Sequence, residues 1–64
     1  MTETFDQKDF SKRIIEELQY NGMEQIELAK RSYISPQMLN KKVKGLVDFK
    51  DDEIKAITKI LGLN

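Results

Sequence analysis

The sequence predicts an all-α fold: one compact domain of four helices, or of four to five, over residues 1 to 64. Three observations carry that expectation. Apolar residues recur at spacings of three and four, which gathers them on one side of a helix. Each such stretch is preceded by a residue suited to cap free N–H groups or to favour a helix start, and three of the four end near glycine. Nowhere do apolar and polar residues alternate as they do in a half-buried strand. A chain of 64 residues is one domain, and at that size it buries only about 60% of its unfolded surface, so its stability is marginal. The hydrophobic fraction is low at 39%, but it is concentrated at helical spacing, which favours a small helical fold over disorder.

The opening MTET carries little information and reads as a frayed end. A first helix is expected over about 7–20, with Asp6 as its N-cap and Phe10, Ile14, Ile15 and Leu18 as its apolar stripe. Asn21-Gly22 stops it. Lys12 and Arg13 stand at spacings from Glu16 and Glu17 that suit weak exposed ion pairs. A second helix is expected over 24–31, with Met23 packing as the apolar residue just before it. Glu24 complements the dipole at its start, Ile26, Leu28 and Ala29 form its apolar side, and Lys30 and Arg31 stand at its favourable pole. A third helix over 35–44 begins at Ser35 and Pro36, because the serine oxygen accepts from first-turn N–H groups and proline there loses no needed donor. Gly45 closes it by taking a left-handed conformation without steric cost. Its apolar residues are few, Met38, Leu39 and Val43, whereas Gln37, Asn40, Lys41, Lys42 and Lys44 are polar or basic. One side is thus an anchor and the other is free to touch a partner. In the connection LVDFK, Phe49 is expected to plug the space beneath the second and third helices, with Leu46 or Val47 sharing that task. Asp51, Asp52 and Glu53 start a fourth helix over 51–61, whose buried stripe is Ile54, Ile57, Ile60 and Leu61. Gly62 ends it, and Leu63 folds back as the apolar contact after the glycine.

Composition narrows the function. Without cysteine there is neither disulfide nor thiolate metal site, and without histidine the commonest metal ligand and general base is missing. Paired carboxylates occur at Glu16-Glu17 and Asp51-Asp52, but adjacent helical residues diverge by roughly 100 degrees and do not face one site. No Gly-rich phosphate loop or metal-ligand spacing occurs, so the expectation is a protein that is not an enzyme and has no cofactor. No apolar run approaches a membrane span and the N-terminus lacks a signal-peptide core, which implies a cytoplasmic protein. The formal net charge is zero, but it is unevenly distributed. Met1 to Ala29 holds seven acids and three bases, Lys30 to Val47 five bases and no acid, and Asp48 to Asn64 four acids and three bases. The positive charge therefore sits on the corner between the second and third helices and on the third helix itself. Such a run is either a solvated face or a binding surface.

The pattern QxxLAxxSxISxxxLxxxxxG, carried by Gln25, Leu28, Ala29, Ser32, Ile34, Ser35, Leu39 and Gly45, resembles the helix-turn-helix of the Cro and lambda-repressor-like family. The segment after it, with Phe49, Glu53-Ile54 and the Ile57-Ile60-Leu61-Gly62 ending, is similar to a version common in small regulators of Gram-positive phages and integrated elements. Two residues depart from the family pattern. Tyr33 replaces the usual turn glycine, so the corner must be built by a residue that dislikes positive φ. Val43 stands where many members carry a glutamate, whose polar contact is then absent.

The resemblance implies a sequence-specific, double-stranded-DNA-binding transcriptional regulator, a Cro-like repressor, with its third helix in the major groove. Gln37 would read adenine N6 and N7, and Lys41, one turn later, guanine O6 or N7. Asn40 and Lys44 would serve phosphates or flanking bases, while Gln25, Ser35 and Lys42 would set the register through the backbone. Pro36 belongs to the same DNA-facing end, Met38 either touches a thymine methyl or fills the core, and Lys30 and Arg31 either cap or contact DNA. A palindromic operator and a homodimer fit so few bases per chain, although many members pair through a fifth helix and this sequence stops at Asn64. Pairing through other surfaces, assembly on DNA alone and a monomer all stay open. Two other readings stand beside this one: a helix-turn-helix module that sequesters a protein, and an accessory factor in excision of an integrated element.

Overall fold

Residues 6 to 63 are described by a computed structural model, and they form four α-helices: α1 (Gln7–Asn21), α2 (Gln25–Ser32), α3 (Pro36–Val43) and α4 (Asp51–Leu61). The expectation for MTET lies outside the described residues. Local chemistry sets each boundary. The Asp6 carboxylate accepts from the Lys8 and Asp9 amides at 2.9 and 3.3 Å, and α1 ends at Gly22. α2 begins one residue later than expected because Glu24 is its N-cap: the Glu24 carbonyl, not its side chain, accepts from the Glu27 and Leu28 amides. The Ser35 hydroxyl accepts from the Met38 amide at 3.2 Å, with Pro36 as the first helical residue of α3. After α3 the Leu46 amide reaches back to the Lys41 carbonyl and the Gly45 amide to that of Lys42, a reversal in which Gly45 takes φ +85°. Leu63 folds back on α4, donating to the Thr58 carbonyl and packing on the core.

The core lies where all four helices meet. Phe10, Ile14 and Leu18 of α1 face Leu28 and Ala29 of α2, Ile34 of the turn, Leu39 of α3, Phe49 of the α3–α4 connection, and Ile57 and Leu61 of α4. Ile14, Leu28, Leu39 and Ile57 are wholly buried, each contributing about 1.5–3 kcal/mol. Met23, Val43, Ile54 and Ile60 close its margins. Phe49 is the expected plug, standing edge-on to Phe10 with ring centroids 5.0 Å apart. A second tie holds it there: the Gln7 amide donates to the Phe49 carbonyl at 3.3 Å and accepts from the Phe49 amide at 2.8 Å.

Four apolar residues lie outside this core, against expectation. Ile15 and Ile26 are 43% and 56% exposed. Ile15 follows the buried Ile14 by a single step of about 100 degrees, and Ile26 precedes Leu28 by two such steps, so helical geometry turns both away from the centre. On α1 the buried stripe widens instead through Ser11, whose hydroxyl donates to the Lys42 carbonyl at 3.2 Å. Leu46 is exposed, as is Val47. The space beside Phe49 that they were expected to fill holds the Lys42 side chain, with Nζ 5.9 Å from the ring centroid.

Candidate nucleic-acid interface

α2 and α3 are joined by the turn Tyr33-Ile34-Ser35. Ile34 is buried and anchors the corner, while Ser32, at the end of α2, turns its hydroxyl back to the Leu28 carbonyl at 2.7 Å. The reversal is made at Tyr33, which has φ 60° and ψ 35°, so the corner is indeed built by a residue in the left-handed region. For a residue with a Cβ this conformation costs about 1–2 kcal/mol. The Tyr33 ring is 97% exposed.

α3 divides cleanly into two sides. Leu39, Lys42 and Val43 sit at helical spacings of three and four and face inward, with Leu39 wholly buried. Gln37, Asn40, Lys41 and Lys44 recur at the same spacings on the outer side, and all four are exposed. From Gln37 to Lys44 the strip runs about 10 Å along the axis. It offers two amides that both donate and accept and two ammonium groups that donate. Ser35 and Pro36 are exposed at the N-terminal end of this strip, and Gln25 is half-buried as the first residue of α2. Met38 is 39% exposed, at the edge between the two sides. Lys30 and Arg31 are exposed at the end of α2, and Arg31 is held by Glu27 at 2.6 Å.

Lys42 does not belong to this surface, contrary to the expectation that it sets the register on a phosphate backbone. It is only 2% exposed; its Nζ donates to Glu53 Oε1 at 2.5 Å and to the Asp48 carbonyl at 3.1 Å. The physical reason is its position: three residues after Leu39 and beside Val43, it lies on the anchored side, where a long stem can cross the core margin and end on a carboxylate. Glu53 Oε1 also accepts from the Lys50 amide at 2.9 Å. Burial pushes the Glu53 carboxyl up, but the hydrogen bonds from Lys42 and Lys50 and the nearby positive charges outweigh it and hold the group below the ordinary glutamate value. The helical wheel contained the signal for Lys42, since its spacing from Leu39 is that of a buried position. Glu53, eleven residues away across a connection, offered no such signal.

Among the described residues no cluster of acidic side chains could hold a metal ion, and no helix is long and apolar enough to cross a membrane. Comparisons with family models, with curated proteins and with solved structures found no match. The chemistry of the α3 strip therefore carries the functional reading.

Proposed function

We propose that this protein is a sequence-specific double-stranded-DNA-binding transcriptional regulator, a repressor of the Cro and lambda-repressor-like kind, that inserts α3 into the major groove. One observation carries the reading. A helix anchored by Leu39, Lys42 and Val43 keeps Gln37, Asn40, Lys41 and Lys44 in solvent, within a run from Lys30 to Val47 that has no acid. A short rigid helix with amides and ammonium groups on its free side suits base edges, because an amide can pair with adenine N6 and N7 and an ammonium can donate to guanine. Gln37 and Lys41 take those roles here. Gln25, Ser35, Asn40 and Lys44, with Pro36 beside them, serve the phosphate backbone and fix the register. Removing Lys42 from the contact set leaves Lys30, Arg31, Lys41 and Lys44 as the exposed cations of the run. With Lys41 on a base edge, three neutralised phosphates give a slope of log affinity against log salt of about −2.7 per protomer, which is a weak footing. Two protomers on a two-fold site, with half-sites about one helical turn apart, double it.

Selection of bound sequences from random duplexes tests the proposal. The expected result is a palindromic consensus whose affinity falls steeply with salt. Failure to retain any duplex at low ionic strength refutes it, and a stable complex with another protein under those conditions would make sequestration the better reading.

A further inference from the structure

We infer that Tyr33 is a DNA-contact residue whose phenol hydroxyl donates to a backbone phosphate beside the α3 half-site, an assignment that rests on the DNA-binding reading above. The backbone provides the first ground. A left-handed residue is needed at the α2–α3 corner, where the Tyr33 amide donates to the Lys30 carbonyl and the Ile34 amide to that of Ala29. Glycine meets that need without strain, whereas tyrosine at φ 60° does not. Burial of a large ring could offset such strain, yet this one is 97% exposed. The side chain thus works against the turn that holds it and gains no packing in return. Strain of this kind at a solvent-facing position points to a role outside the fold.

Charge and chemistry name the partner. Tyr33 lies inside the acid-free run from Lys30 to Val47, with Lys30 and Arg31 just before it and Gln37 four residues after it. Four residues of chain span at most about 14 Å, so the backbone at Tyr33 and the start of the α3 strip belong to one neighbourhood. A phenol hydroxyl in a stretch of chain without acids suits an anionic oxygen, and tyrosine hydroxyls are among the ordinary donors to DNA phosphates. Such a contact adds affinity at every sequence and leaves base choice to Gln37 and Lys41.

The test uses the full chain, with Tyr33→Gly and Tyr33→Phe, melted by circular dichroism and titrated against both the selected duplex and a random one. Tyr33→Gly should raise the melting temperature by about 4–8 °C while weakening both duplexes on the order of tenfold. Tyr33→Phe should leave the melting temperature unchanged and lose the same affinity, with the salt slope unaltered because no charge is removed. A lower melting temperature for Tyr33→Gly, or wild-type affinity in either variant, overturns the inference while the DNA-binding reading stands. Wild-type protein that binds neither duplex overturns both.

Discussion

Truncating the buried lysine of α3 is the sharpest test of how that helix is held. In Lys42→Ala, Glu53 loses the ammonium 2.5 Å away, the Asp48 carbonyl loses its donor, and the Phe49 ring loses the stem beside it. Breaking a buried pair by removing one partner costs about 3–5 kcal/mol. Glu53 keeps the Lys50 amide and its side chain is 16% exposed, which favours the lower end, about 3 kcal/mol. At about 0.05–0.15 kcal/mol per residue, a 64-residue domain has a total stability of about 3–10 kcal/mol. The loss is therefore a large share of the whole, and the melting temperature should fall by at least about 12 °C. Thermal melts followed by circular dichroism at neutral pH measure it. The double variant Lys42→Met with Glu53→Leu, which removes both charges and keeps apolar volume, should recover most of the loss. A Lys42→Ala protein that melts within about 3 °C of wild type refutes the reasoning. If that protein also lost about one unit of salt slope in DNA binding, Lys42 would be a phosphate contact after all.

The Glu53 carboxyl supplies a pH prediction. Its value is held below the ordinary one in the folded protein, so the unfolded chain takes up its proton first as pH falls. The stability it contributes is complete above about pH 4.3 and is lost as pH drops from there through the folded value; acid titration of Glu53→Gln should show a shallower loss over that window. Phe49→Ala removes the ring that meets Phe10 edge-on and lies under the Lys42 ammonium, and should cost about 3–5 kcal/mol, leaving little folded protein in a urea titration. Gln37→Ala and Lys41→Ala should each cost about 1–3 kcal/mol at the selected duplex and relax choice at one base pair, as competition with single-site variants would report. An equal loss on random duplexes would reduce both to backbone contacts.

Much of the fold was legible because helix ends are local chemistry. Asp6, Ser35-Pro36 and Gly62 mark boundaries within the few residues that surround them, and the helices start and stop there to within a residue or so. Burial was harder to read, because it depends on angle as well as residue type. Ile15 and Ile26 are apolar but turned outward, and Lys42 is charged but turned inward. The outer strip of α3 was legible for the same reason that Lys42 was not. Polar residues at Gln37, Asn40, Lys41 and Lys44 announce an exposed side by composition alone, whereas an inward lysine is revealed only by its spacing from Leu39 and by a partner on α4. The left-handed turn at Tyr33 was expected; that its ring finds no cover is decided by the packing of the folded chain.

Gln7 treats Phe49 as one peptide strand treats its neighbour, giving one hydrogen bond and taking another across 42 residues of chain. Only a side chain that carries a donor and an acceptor in one plane can fasten a backbone unit in this way, and a glutamate of the same length would set a carboxylate against the Phe49 carbonyl. The first turn of α1 is thereby buckled to the segment that launches α4. An agent that works by peeling α1 away must unfasten this buckle and wet two phenylalanine rings together, so the opening of the domain and the loss of its grip on α3 become a single event.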